Sequence, residues 1–363
     1  MEKCTQVNRE NKRGVGANVV DTDVLDIDIV GIDPAKDSFT AGRWQSSVHR
    51  PVGKPKAFTG DPAGYEAFAH WLAGDKPAVA GDVLIAIEQT GSCSERLAVW
   101  LHGRGYNVYV VDPHAVWKAF KDEAKTDAID SMRVAEYAGR YRDRLRPYTP
   151  PAEAVAHVRA LLTLRERLVE HKTALKNLRG EFNARSRTCP AASAAVEETI
   201  AFLEAQIKGL EEEMQQVIAG DAQLATHVAH LRSAPGTGLL LAATLLVITE
   251  GFTERRGART LAAYLGIAPH PHESGTSVRR PGRSRRYGPP IARRLLHLMA
   301  RSLRTHNDRY KAYFLRKKAE GKATRLILNN IANKHLRVLC ALVQKGQPYI
   351  EGHRSVNPRL LQR

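Results

Sequence analysis

Four carboxylates carry the first sign of chemistry in this chain. Asp33 directly follows a short apolar run, Ile27–Ile32 (IDIVGI), and Glu88 directly follows a second, Val83–Ile87 (VLIAI). Asp127 and Asp130 stand three apart at the start of a helical stretch, so they share one helix face. Strand ends and a helix start can meet at one point in a layered α/β sheet. Four carboxylates gathered there cannot all stay ionised without a cation. Oxygen-only donors select a hard ion, Mg²⁺ or Mn²⁺. A pair of such ions suits phosphodiester chemistry, one activating the attacking oxygen and one stabilising the leaving oxygen.

A second signal is charge. The 363 residues hold 55 Lys+Arg against 38 Asp+Glu, a net charge of +17. All of the excess lies in the last third. From Thr253 to Arg363 there are 25 basic and five acidic residues, whereas the first 252 residues are slightly acidic. Between Arg279 and Arg304 stand nine arginines and no acidic residue. Such a field attracts a polyanion, and arginine suits bidentate phosphate contact. Arg279, Arg280, Arg283, Arg285, Arg286, Arg293 and Arg294 are the candidate nucleic-acid contacts.

The elements that must position these groups follow from patterning. Phe39–Trp44 reads as a strand after a hairpin turn, and Ala63–Leu72 as a helix. Val83–Ile87 is apolar throughout, as in a central strand buried on both faces. Ser94–His102 reads as a helix, Val108–Val111 as a strand and Thr126–Tyr141 as a helix. Strands alternating with helices predict an α/β domain over 27–150, ending in the Pro-rich Pro147–Pro151. Residues 1–26 are polar and aperiodic and read as a disordered extension. Leu161, Leu168, Leu175 and Phe182 recur every seven residues, with Leu164 and Leu178 in the d register. A second series has Ile200, Ile207 and Met214 at a, and Leu203, Leu210, Val217 and Leu224 at d. These predict coiled-coil helices over 151–230 that pack within one chain, between chains, or both. A mainly helical domain is expected over 231–348, opened by the turn Pro235-Gly236-Thr237-Gly238. An Arg-, Gly- and Ser-dense loop is expected from Ala268 to Pro290, and a basic tail over 349–363. Trp100, Trp117 and Tyr264 read as core.

No apolar run approaches the roughly 20 residues of a membrane span, and the N-terminus has no apolar signal core. The four cysteines are far apart and form no C-x-x-C pair, which suits a reducing cytoplasm. His270 and His272 lack partners that would complete a zinc motif.

Three stretches then coincide. Gly31-Ile32-Asp33 with Lys36 and Phe39, Ile87-Glu88-Gln89-Thr90-Gly91, and Lys125-Thr126-Asp127-Ala128-Ile129-Asp130 together resemble the DEDD-type transposases of the insertion-sequence one-ten family. Ala234–Gly238, Gly266-Ile267-Ala268-Pro269 with Ser274-Gly275, and Asn333-Lys334-His335-Leu336 are similar to that family's C-terminal domain. The resemblance spans about 27–348. It implies a RuvC/ribonuclease H-like N-terminal domain, with Asp33, Glu88, Asp127 and Asp130 as Mg²⁺ ligands. It implies Ser274 as the nucleophile of a covalent serine–DNA intermediate in RNA-guided recombination. The partners would be target and donor DNA, a non-coding guide RNA and further copies of the chain joined through the coiled-coil helices. The segment after Ser274 departs from the family pattern, so Ser277 and Ser284 are rival nucleophiles. Two other readings stand beside it: a RuvC-like structure-selective nuclease without a serine intermediate, and a non-catalytic nucleic-acid-binding scaffold.

Overall fold

The computed structural model describes residues 28–74, 83–120, 126–184, 189–253, 257–268, 270–274, 278–284 and 288–352. The N-terminal extension and most of the basic tail lie outside them. The chain divides into two compact units, Met1–Pro150 and Pro151–Arg363.

The first unit is a mixed α/β layer. Its elements run β1 (Asp28–Pro34), β2 (Ser38–Gln45), β3 (Arg50–Thr59), α1 (Pro62–Ala73), β4 (Val83–Glu88), α2 (Ser92–Gly103), β5 (Asn107–Val111), α3 (Pro113–Ala119) and α4 (Asp127–Arg140). The sheet order is β3-β2-β1-β4-β5. β1, β2 and β3 pair antiparallel, while β4 and β5 run parallel to β1. Val83 to Ile87 of β4 are all buried, as their apolar run predicts. Their alternate side chains serve two cores. Val30, Ile32, Ile85 and Ile87 meet α1 and α2 on one face. Ile29, Leu84 and Ala86 meet Val134, Ala135 and Ala138 of α4 on the other.

β3 is a strand that patterning missed. It is mostly exposed and contains Pro51 and Pro55. Proline lacks an amide donor, and this strand tolerates it because it lies at the sheet edge. Helix α3 was missed as well; it starts with Asp112 capping the amide of His114 at 2.9 Å and Pro113 in the first turn.

The second unit is mostly helical: α5 (Glu153–Ala184), α6 (Pro190–Gly220), α7 (Ala222–Ser233), α8 (Leu239–Ile248), α9 (Ala258–Tyr264), the hairpin β6 (His270–Ser274) and β7 (Val278–Arg283), α10 (Pro290–His306), α11 (Asp308–Ala319) and α12 (Thr324–Lys345). One continuous core joins the base of α5 and α6 to α7 through α12. The heptad helices pack against each other as an antiparallel hairpin within the chain. Ion pairs link them at Arg165–Glu211 (2.7 Å), Lys176–Glu204 (2.8 Å) and Arg179–Glu197 (3.1 Å). Two heptad assignments need correction. Leu164, placed at d, is 49% exposed. Leu224 is not in α6, because Asp221 ends that helix and caps α7, accepting from the amides of Gln223 and Leu224.

The Ala268–Pro290 loop is also corrected, since it contains the β6–β7 hairpin. Its pattern hides the strands because both contain proline. The pairing slips between His270 and His272, where Pro271 faces Pro281-Gly282. Neither proline can donate to the ladder, and the bulge absorbs both.

Candidate functional site: the carboxylate edge and the arginine hairpin

Helix α4 sets the geometry of the carboxylates. It lies directly on β1 at Gly31, where a Cβ would fall 2.2 Å from both the carbonyl oxygen of Ser131 and the amide of Ala135. Farther along, Gly139 lies over Ile29 and Trp44. The helix therefore runs opposite to β1, and its N-terminus sits at the strand's C-terminal end. Thr126 caps that N-terminus, accepting from the amide of Ile129 at 3.2 Å.

The strand register brings the other two carboxylates to the same end. Ile32 pairs with Ile87 across the parallel strands, so Asp33 and Glu88 are the next residues on adjacent strands. Side chains alternate along a strand. Asp33 therefore shares the α4 face with Ile29 and Gly31, and Glu88 shares it with Leu84 and Ala86. Asp127 opens α4 and Asp130 follows one turn later. All four candidate positions thus belong to one face and one end of the sheet. Asp33, Glu88 and Asp130 are half-buried, and Asp127 is exposed.

The side chains are less gathered than the backbone. Among the described residues, no three His, Cys, Asp or Glu side chains lie together in a group able to hold a metal ion. Asp130 is paired instead with Arg133, Oδ1 to Nη1 at 3.1 Å, both side chains largely buried. That guanidinium supplies positive charge where the cation was expected. The donor types suit Mg²⁺ or Mn²⁺, but their arrangement here does not form the expected four-carboxylate site.

The second unit holds the other candidates. Ser274 is the last residue of β6, its backbone paired with Val278 of β7. Arg279, Arg280 and Arg283 lie on β7, opposite Glu273, His272 and His270. Arg285, Arg286 and the rival nucleophile Ser277 lie outside the described residues; Ser284 follows β7 and is exposed. Two arginines have structural partners. Arg293 donates to the carbonyl of Gly288 at 2.7 Å, and Arg294 is paired with Glu166 of α5. Glu166 also accepts from Arg165 at 2.8 Å.

Near the turn that opens α8, His335 is fully buried and its Nδ1 lies 3.0 Å from the hydroxyl of Tyr310. Burial pushes the His335 imidazole down to about 4 and the Tyr310 phenol up to about 12. Both are neutral near pH 7 and act as internal structure.

Trp100 and Tyr264 pack against the cores as expected. Trp117 does not: it is 64% exposed, with its ring stacked on His114. The signal was present in the sequence. Asp112-Pro113 starts a helix, and on that helix His114, Trp117 and Lys118 fall opposite Val116. No described helix is long and apolar enough to cross a membrane.

Residues 30–179 match a family model described as a DEDD transposase of IS110, and residues 228–315 match one described as the IS116/IS110/IS902 transposase family. The chain is 27% identical over 331 residues to a pilin gene-inverting protein of Moraxella lacunata, covering 88% of this chain and 97% of that one. It is 25% identical over 354 residues to the transposase for insertion sequence element IS1111A of Coxiella burnetii, covering 89% and 92%. Among solved structures it matches T. thermophilus RuvC in complex with a Holliday junction substrate, at 14% identity and a TM-score of 0.24, covering 34% of this chain and 99% of that one.

Proposed function

We propose, from the premise that by family model and by relatives this chain is an IS110/IS116-family transposase, that it cuts and rejoins DNA as the recombinase of an insertion sequence. The observation that carries the reading is the carboxylate edge. Asp33 and Glu88 end adjacent parallel strands on the face covered by α4, and Asp127 and Asp130 open that helix at the same end. Four carboxylate positions converge there, and Asp130 already holds Arg133 as its partner. That convergence gives the RuvC-like reading of the first unit a chemical purpose.

In this reading Ser274 is the nucleophile. Its hydroxyl attacks a DNA phosphorus, the Ser–O–P bond forms, and the bond to the leaving sugar oxygen breaks. The departing hydroxyl takes up a proton, and the serine ester keeps the bond energy for rejoining without ATP. Arg279, Arg280 and Arg283 on β7, with Arg285 and Arg286 just beyond, offer charge to the phosphoryl oxygens and the flanking backbone. Oxygen donors of this kind select Mg²⁺ or Mn²⁺, and loading all four carboxylates requires Asp130 to leave Arg133. The family resemblance further supports a non-coding guide RNA as target reader and an oligomer joined through the α5–α6 hairpin. Base pairing by a guide would relieve the protein of reading target sequence. A cytoplasmic location fits the same reading.

The test is to express the chain with its element and flanking non-coding DNA, then count excised circles and rejoined junctions. Wild type is expected to give both, and Asp33→Asn and Ser274→Ala neither. Products that persist in Ser274→Ala but vanish in Asp33→Asn favour the nuclease alternative or Ser277. Products that persist in Asp33→Asn would overturn the role of the carboxylate edge.

A further inference from the structure

We propose that Arg301 and Arg325, with His297 beside them, form a binding site for a backbone phosphate of duplex DNA where α10 meets the start of α12. The inference rests on the DNA-processing reading above and adds a contact separate from the carboxylates and the hairpin arginines.

From Pro290 to Lys345 the chain holds 14 Lys+Arg and two Asp+Glu. Most of that charge is spread along three helices, but two arginines converge on one ring. His297 and Arg301 stand one turn apart on α10 and share a face. Arg325 comes to the same place from the first turn of α12. Burial first, and then the charges of Arg301 and Arg325, push the His297 imidazole below its ordinary value. Both arginines are exposed, and neither has an ion pair among the described residues. The acidic groups that could have served them are taken. Glu166 pairs with Arg294, and Glu320, the acidic residue nearest α12 in the chain, pairs with Lys317.

Arg325 also stands at the unfavourable end of its helix. The N-terminus of α12 is the positive end of a 22-residue dipole, and its first turn holds no acidic residue. The N-cap is Ala323, which has no side-chain acceptor for the first amides. Unpaired cations gathered beside that end repel one another in the free protein. An anion seated among them removes the repulsion, and guanidinium forks suit phosphate oxygens. The aromatic residues of these helices offer no open face to a base. Tyr310 bonds the buried His335, Lys334 covers Tyr313, and Arg304 covers Phe314. The surface therefore fits the backbone of a duplex, whose bases are already stacked, rather than an unpaired strand.

The experiment titrates the full chain, freed of nucleic acid, with a duplex of the element's end, an unrelated DNA duplex and an RNA duplex at several salt concentrations. Arg301→Gln with Arg325→Gln is expected to weaken binding to both DNA duplexes by the same factor, at least about tenfold. The slope of log affinity against log salt is expected to become shallower by about 1, as for one lost phosphate contact. Arg337→Gln with Lys345→Gln removes the same charge from α12, at about 18 Å and about 30 Å along the helix from Arg325. That pair is expected to leave affinity and slope unchanged. In urea the Arg301/Arg325 double variant is expected to unfold at the wild-type midpoint or above it, because only repulsion has been removed. A lower midpoint overturns the inference and assigns the arginines to the fold. Unchanged DNA binding overturns it outright, and an equal loss in the control pair overturns it in favour of a diffuse basic field. A loss confined to the element's end overturns it in favour of base contacts, and one confined to the RNA duplex in favour of RNA. All of these leave the recombinase reading in place. Wild type that binds no DNA overturns that reading and this inference together.

Discussion

Gly31→Ala should separate the positioning of the carboxylates from their identity. An added methyl would sit 2.2 Å from Ser131 O and Ala135 N, both backbone atoms of α4. Neither can rotate away, so helix and strand must part by about 1 Å before the contact becomes tolerable, at a cost of about 1–3 kcal/mol as in other overpacked cores. The shift acts where α4 brings Asp127 and Asp130 to the ends of β1 and β4. A displacement of about 1 Å in a reacting geometry is enough for about a hundredfold loss of rate. The variant is therefore expected to stay folded, lower its urea midpoint, and lose nearly all excision and junction products. Gly103→Ala is the control, since a Cβ there meets nothing within 4 Å. It should leave activity unchanged. Wild-type stability and product yield in Gly31→Ala would refute the reasoning that α4 is seated on β1 at this glycine.

Other outcomes follow from the second unit. Leu231 is fully buried in its core, so Leu231→Ala should cost about 2–5 kcal/mol in urea unfolding; a loss below 1 kcal/mol would contradict the described packing. His335 gives a pH dependence. Folded, it stays neutral down to about pH 4 because it is buried, whereas the unfolded imidazole takes up a proton below about pH 6.5. Stability from this group is thus fully present above that value and falls by about 2 kcal/mol between pH 6.5 and 5. His335→Gln should flatten that part of the stability profile, and identical profiles would rule out the assignment.

Much of the first unit was legible in the sequence because its signals are local. The short, β-rich apolar run Val83–Ile87 reads as a strand buried on both faces, and Thr126 with the spacing that follows it marks α4. β3 was not legible, because its stability comes from pairing with β2 rather than from its own polar, proline-containing residues. The hairpin β6–β7 was hidden in the same way. Heptad spacing identified α5 and α6 but not which residues face the partner helix: Leu164, read at d, is in solvent although ion pairs between the helices continue beyond it to Arg179–Glu197.

For the site, residue types and their order led to four carboxylates whose backbone positions share one face and one end of the sheet. They could not show that Asp130 takes Arg133 as its partner, because that depends on side-chain rotamers within one helix turn. Nor could they show that Trp117 faces outward, since an isolated tryptophan is more often core. Arg293 and Arg294 looked like free cations by composition, and their bonds to Gly288 and Glu166 depend on tertiary packing.

The central claim is that this chain breaks DNA through Ser274 under the control of the carboxylate edge. Its most direct test is to trap protein–DNA adducts on the element's ends with purified chain and guide, digest them, and locate the attached nucleotide by mass spectrometry. The account predicts a nucleotide on Ser274 in the wild type and none in Ser274→Ala or Asp33→Asn. Cleaved DNA without an adduct, or an adduct on another residue, would contradict it.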